Sequence, residues 1–296
     1  HLLGGRLEVR YDLAVEAIRE RLCDALGLEL REAASGVVEV VNNQMSKILR
    51  IATVERGLDP RDFVLVAFGG CGPMHACSLA EDLEVRKVVV PLNPGLFSAF
   101  GLLASDLKYV AVRPLVRKAS EVSAAKAEEL FSQMELEAAR ALGGGELFFS
   151  RLVDARYFGQ SYELSVPAEK PFDDEALRRT LDRFHAKHEA VYGFSARDEP
   201  VELVNLKVVA VKAVAKPKLR KLPAGEGAPE RSVLEVREVY FNGELVRCPV
   251  YARKKLKPGS SLQGPAVVEQ YDSTTVVNPG WTCRVDAYGN LVLERC

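Results

Sequence analysis

Gly69-Gly70-Cys71-Gly72-Pro73 follows directly on the apolar run Val64-Leu65-Val66-Ala67-Phe68, and Met74 to Leu83 then reads as a helix. A Gly-Gly-x-Gly turn between a strand and a helix has no Cβ to hold a ligand away from the backbone. The helix behind it offers unpaired N–H groups and the positive end of its dipole, which suits a phosphate or another anion. The spacing is neither G-x-G-x-x-G nor a Walker A loop, because no Gly-Lys-Ser/Thr follows. By residue type alone the turn can therefore serve a nucleotide or anion, or simply reverse the chain tightly.

Other residues could carry chemistry. His75 opens the helix after the turn, where an imidazole could bond a phosphate or substrate, or could cap and pack; it is the candidate catalytic residue, and no other is assigned. Ser98, between Gly95 and Gly101, stands at a second strand-to-helix turn expected at the same end of the sheet, where open α/β sheets bind ligands. It could support a ligand or cap the short helix. His185 and His188 lie three apart on a helix beside Glu189, a spacing that can share a metal; no third ligand accompanies them, so packing roles fit as well and no metal site is assigned. Tyr157-Phe158-Gly159-Gln160 reads as a structural turn and Trp281 as a buried ring. Asp272-Ser273-Thr274-Thr275 fits a polar loop contact to the first domain or to a partner, or plain turn chemistry.

Elements must position these residues. Ala14, Ile18, Leu22 and Leu26 recur every four residues behind Asp12, a potential cap, and Gly27 ends that helix. A longer helix spans about 31–52, with Val37, Val41, Ile48 and Ala52 on one stripe, ended by Gly57 and Asp59-Pro60. The run 64–68 reads as a parallel strand buried on both faces, 87–90 as a second strand and 96–103 as a short helix. This βαβα order implies a parallel sheet. Beyond Pro114 the spacing predicts a helix over 123–142, strands over 147–157 and 162–166, a helix over 173–192 and a long strand over 201–214: an α+β module. Residues 216–231 read as a linker, and from Ser232 short strands and turns, Asn242-Gly243 the strongest of them, predict a β-rich unit packed on that module.

Composition bounds the rest. The 296 residues carry 40 Lys+Arg against 41 Asp+Glu, which argues against a nucleic-acid binder working through a general basic surface. No apolar run approaches the ~20 residues that span a bilayer. With 48% hydrophobic residues the chain is long enough for about two domains and is not disordered. Six cysteines without a C-x-x-C pair give neither a zinc ribbon nor a disulfide framework, and fit reduced thiols in the cytoplasm. The opening His1-Leu2-Leu3-Gly4-Gly5 has no initiator Met and no signal-type segment, as expected of a piece of a longer protein.

The longer motifs are more specific. Val54-Glu55-Arg56-Gly57, Asp59-Pro60-Arg61-Asp62-Phe63, Val64 to Ala76, Val90-Pro91 and Pro94 to Leu103 resemble the hydantoinase A / 5-oxoprolinase / acetone carboxylase β-subunit family. Tyr157 to Leu164, Tyr192-Gly193-Phe194, Gly264 to Glu269, Asp272 to Thr275 and Pro279-Gly280-Trp281 continue the resemblance in order. It implies an α/β fold: residues 1–112 as the later part of an ATPase lobe like that of actin, heat-shock chaperones and sugar kinases, with a parallel βαβ core. Residues 113–215 and 216–296 would be the α+β part and the linker with β-rich part of a C-terminal domain.

The resemblance further implies that Gly69, Gly70 and Gly72 lie against the adenosine of ATP; Ser98 joins them as a candidate cofactor-binding residue by its place at the same end of the sheet. The DxGGTxTD-type phosphate loops of such proteins do not occur in this sequence, so the ligands of Mg²⁺ are expected outside the chain, as is the other ATPase lobe. The expected parent is an ATP-dependent hydrolase of a cyclic amide such as a hydantoin or 5-oxoproline, in which ATP phosphorylates the amide or carboxyl oxygen, paired with a hydantoinase B-type subunit or domain. The chain alone is expected not to hydrolyse ATP, because phosphoryl transfer depends on positioned phosphates and metal. A subunit of a ketone carboxylase is the alternative enzyme; a non-catalytic module that binds a B-type partner is the alternative of another class.

Overall fold

Two separate stretches of buried apolar side chains organise the chain. In the computed structural model, which describes residues 6–225 and 229–296, one unit comprises residues 1–103 with 218–296 and the other residues 104–217. The opening residues 1–5 lie outside the described residues.

In chain order, α1 (Tyr11–Ile18) passes through a π-helical turn, Arg19–Cys23, into α2 (Asp24–Leu26), and α3 is Leu30–Ala52. Then come β1 (Leu65–Val66), α4 (Gly72–Asp82), β2 (Lys87–Val90) and α5 (Phe97–Ala104). The second unit holds β3 (Leu107–Lys118), α6 (Ala124–Ala141), β4 (Phe148–Tyr157), β5 (Leu164–Ala168), α7 (Asp174–Tyr192) and β6 (Val201–Lys212). The first unit resumes with β7 (Val233–Phe241), β8 (Glu244–Ala252), β9 (Ser261–Gln263), β10 (Ala266–Glu269), β11 (Thr274–Val277), β12 (Trp281–Val285) and β13 (Leu291–Arg295).

The first unit contains a sheet ordered β1-β2-β13-β12-β9 and another ordered β11-β10-β8-β7. β1 and β2 pair in parallel across α4, as the βαβ reading requires, but β13 then pairs antiparallel with β2, Leu291 opposite Val90 and Leu293 opposite Val88. The expected parallel sheet is therefore a mixed one. The β-rich segment, expected to pack on the α+β module, is built into the first unit: Val88 and Val90 share one core with Trp281, Cys283, Leu291 and Leu293. The hairpin signal holds, with Asn242 and Gly243 at positive φ between β7 and β8, as a two-residue reversal with the twist of its strands demands.

Several expectations in this unit need correction. The strand over 64–68 shrinks to two residues and is not buried on both faces: Val64, Val66 and Phe68 are exposed, because β1 is an edge strand with one neighbour. Asp12 does not cap the first helix; Arg10 holds that position and pairs with Asp12 inside the first turn. The α3 stripe is present but faces outward, with Val37, Val41 and Ile48 exposed and only Ala33 and Ser46 buried along the helix.

The second unit is a four-stranded antiparallel sheet ordered β3-β6-β4-β5, packed against α6 and α7 through Phe131, Met134, Val153, Phe184 and Leu206. Ser123 and Asp173 cap the two helices by accepting from the Lys126 and Ala176 N–H groups, and Gly193 ends α7 in the left-handed conformation. β3 is the element that sequence patterning missed, and it carries the α+β module back from 113 to 107. Pro114 interrupts its pattern, yet sits on an edge strand at a register shift, where a missing N–H is tolerated.

Candidate functional site

β1 and β2 run side by side, and Ala67 N–H adds one more rung by donating to Val89 O at 2.9 Å. Beyond that rung the chain must turn from the strand into α4. Gly69 makes the turn at φ +85°, a conformation closed to most side chains, and its N–H donates to Pro94 O at 2.8 Å. That bond ties the turn after β1 to the turn after β2, and both lie at the carboxyl ends of the parallel strands.

Gly70 and Gly72 are different. Neither has positive φ, and a Cβ there would meet nothing closer than Asp272 O at 3.6 Å or Ala67 C at 4.0 Å. The fold would accept alanine at both, and alanine in the first turn of α4 would be the better helix former by about 1 kcal/mol. What glycine provides at these positions is backbone without a Cβ at a helix N-terminus, where Pro73 has no N–H and Met74 N–H donates to Cys71 O at 3.0 Å.

A loop from the far end of the sequence holds both turns. Asp272, between β10 and β11, accepts the Gly95 N–H on Oδ2 at 2.9 Å and the Gln270 side-chain amide on Oδ1 at 2.7 Å. The same Gln270 amide donates to Leu92 O at 3.4 Å, and the Ser273 hydroxyl donates to Gly70 O at 3.0 Å. Asp272-Ser273-Thr274-Thr275 thus contacts the segment of residues 70–95, and the loop also closes its own turn, Gln270 N–H donating to Ser273 O at 3.0 Å. Gln270 carried no signal in the sequence, since its role depends on a fold-level approach of segments about 180 residues apart.

His75 points to α3, with Nδ1 2.8 Å from Asn42 Oδ1. The amide oxygen only accepts, so Nδ1 is the donor in this bond. Ser98 is exposed in the first turn of α5 and caps nothing. Between these turns Phe68 packs on Phe97, ring centres 5.4 Å apart, and Phe97 stacks on Phe100 at 5.8 Å. Cys71 is exposed at the head of α4, whereas burial pushes the Cys77 and Cys283 thiols up to about 12, which makes them inert core groups. Trp281 is buried as expected, and its indole N–H reaches Glu81 of α4.

The histidine pair of α7 belongs to the second unit and is fully engaged there. Tyr157 Oη accepts from Ala196 N–H at 2.7 Å and also shares a hydrogen bond with His185 Nδ1 at 2.7 Å. His188 Nδ1 donates to Phe194 O at 2.8 Å, leaving Nε2 to accept from the Gln160 amide at 3.3 Å. Burial lowers the pKa of His185, and the Tyr157–Gln160 turn closes over both rings. Among the described residues no three His, Cys, Asp or Glu side chains converge as a metal site. No described helix is long and apolar enough to cross a membrane.

The model of the hydantoinase/oxoprolinase family matches residues 1–110, and that of the hydantoinase/oxoprolinase C-terminal domain matches residues 120–296. An uncharacterized protein of Methanocaldococcus jannaschii is 41% identical over 99% of this chain and 42% of its own length. The caprolactamase subunit alpha of Pseudomonas jessenii is 29% identical over 96% of the chain and 42% of its own length; the acetone carboxylase beta subunit of Xanthobacter autotrophicus is 29% identical over 97% and 43%. The crystal structure of the ATP-dependent caprolactamase from Pseudomonas jessenii superposes with a TM-score of 0.77 at 30% identity, covering 99% of this chain and 44% of that one. A nucleotide-free acetone carboxylase, 24% identical with a TM-score of 0.75, shares the fold. The chain spans less than half the length of these relatives.

Proposed function

The chain belongs to the hydantoinase/oxoprolinase family, and from that premise we propose that it supplies the adenosine-side wall of the nucleotide site of an ATP-dependent enzyme that opens a cyclic amide. The observation that carries this reading is the glycine turn at the carboxyl ends of β1 and β2. Gly69 is glycine because the backbone requires it, but Gly70 and Gly72 are glycine where the fold has room for a side chain. Backbone without a Cβ at a helix N-terminus, beside a second turn bearing the exposed Ser98, is a surface for a ligand. Ligands for Mg²⁺ do not converge among the described residues, and in this reading they come from the remainder of the ATPase domain.

The exposed α3 stripe supports the same division of labour. Val37, Val41 and Ile48 on one helix form an apolar strip of the kind that a further lobe of the domain, of actin-like type in this reading, would cover. Of the relatives, the caprolactamase is named for a cyclic-amide substrate and ATP dependence, and its structure is 30% identical to this chain. Its designation as a subunit, like that of the acetone carboxylase relative, supports a hydantoinase B-type partner for the complete protein. A cytoplasmic setting, where ATP is available and six free thiols stay reduced, completes the proposal.

The test is phosphate release by the full-length protein co-expressed with its B-type partner. Hydantoin, 5-oxoproline or caprolactam should each be tried against acetone with bicarbonate. Release of phosphate coupled to ring opening is the expected result. Carboxylation of acetone would transfer the assignment to the ketone carboxylases, and no ATP turnover with any of them would overturn it.

A further inference from the structure

We infer that Asp272 is a positioning residue for nucleotide binding: it sets the spacing between the glycine turn of residues 69–72 and the turn of residues 92–95 and so shapes the nucleoside face. The inference rests on the nucleotide reading of the glycine turn given above. β1 has two paired residues and lies at a sheet edge, so the turn after it has little sheet to hold it. The 270–273 loop supplies the missing support, with Ser273 on Gly70 O, Asp272 on Gly95 N–H and Gln270 on Leu92 O. One loop thus grips each of the two turns, and the Gly69–Pro94 bond joins them.

Two features mark this as more than loop packing. A Cβ on Gly95 would stand 2.5 Å from Asp272 Oδ2 and 2.8 Å from its Cβ, so the second turn is glycine because the carboxylate approaches it so closely. Gln270 commits its amide N–H groups to Asp272 and Leu92 while its own Oε1 is left buried without a partner. Leaving a buried acceptor unpaired costs stability, and the arrangement is kept where alignment of the donors matters. Both carboxylate oxygens are taken up inside the fold, Oδ2 by Gly95 N–H and Oδ1 by the Gln270 amide, so Asp272 acts on the shape of the turn and not on the charge of a ligand.

The experiment is titration of the chain with adenosine and with ADP, followed by NMR, for wild type, Asp272→Ala, Asp272→Asn and Ser273→Ala. Asp272→Ala should weaken both ligands by about tenfold and by equal factors, while Asp272→Asn, which still accepts from Gly95 N–H, should stay within about threefold of wild type. Gly95→Ala should weaken binding in the wild type and add nothing in an Asp272→Gly background. Wild-type binding that Asp272→Ala leaves within twofold overturns the positioning role and leaves the site reading intact. A gain in ADP affinity relative to adenosine also overturns it, since the residue would then act on phosphate. If wild type binds neither ligand at millimolar concentration, the site reading fails and this inference with it. Should Asp272→Ala not fold, Ser273→Ala decides: weaker binding supports the clamp, and unchanged binding overturns it.

Discussion

The indole N–H of Trp281 donates to Glu81 Oε1 at 2.6 Å, joining β12 to the last turn of α4 across 200 residues of sequence. Asn278 reaches the same carboxylate with its side-chain amide at 3.3 Å. Glu81 thereby fixes the helix whose other end carries the glycine turn. Trp281→Phe keeps an aromatic ring but removes the donor to a charged acceptor, and should cost about 2 kcal/mol. Urea denaturation measures this, with circular dichroism as the probe because the substitution removes the sole tryptophan.

Buried His185 predicts acid sensitivity. Burial, followed by the Arg197 charge, lowers the pKa of His185 from 6.5; Asp182 opposes this and His188 adds to it. The folded state therefore resists a proton that the unfolded chain accepts, so stability is full above pH 6.5 and falls as the pH drops through and below that value. Protonated His185 would also turn an N–H toward Tyr157 Oη, which already accepts from Ala196. Thermal melts from pH 8 to pH 5 should show a declining midpoint for wild type and a flatter profile for His185→Gln. Equal slopes would exclude His185 as the source.

Arg151 is buried between Glu128 and Glu135, 2.5 and 2.7 Å away, and Lys170 adds a contact to Glu135 at 2.8 Å. Hydrogen bonding from Arg151 lowers the Glu128 pKa from 4.5 to about 2. Its contribution is present above pH 4.5 and is lost as the pH falls toward 2. Arg151→Ala leaves Glu128 without its cation and Glu135 with Lys170 alone, and should destabilise the second unit by about 3 kcal/mol, read as a loss of midpoint in denaturant.

The α3 stripe gives opposite expectations in two contexts. Val41→Ser or Ile48→Ser should change the stability of this chain by no more than about 0.5 kcal/mol, since both side chains are exposed. In the full-length protein the same changes should lower the melting temperature and the yield of folded material. Equal tolerance in both contexts would leave the stripe without a covering lobe.

Much of this was readable from residue patterns. Ser123 and Asp173 announced the starts of α6 and α7, the 87–90 run gave β2, and Asn242-Gly243 gave its hairpin, because caps and turns are decided within a few residues. The glycine turn was visible for the same reason. What patterns could not show was partnership: an apolar run states that it will be buried, not beside which strand. Val88 and Val90 looked like half of a parallel sheet and found β13. For His75 a ligand and a packing role were both open, and it bonds Asn42; His185 and His188, assigned no metal, bond Tyr157 and Phe194.

The pairing of β13 with β2 also imposes an order of assembly. All strands of the 104–217 unit are complete before β7 is made, so that unit can collapse while the ribosome is still adding the β-rich segment. The sheet of the other unit has no such freedom. β2 must wait for a neighbour about 200 residues downstream, roughly 10–40 s of synthesis at 5–20 residues per second. Through that interval Val88 and Val90 have no native strand on one side, and an unpaired apolar edge is open to aggregation. Synonymous codon changes that accelerate translation between residues 91 and 290 should therefore alter the folded yield of the first unit while leaving the second untouched.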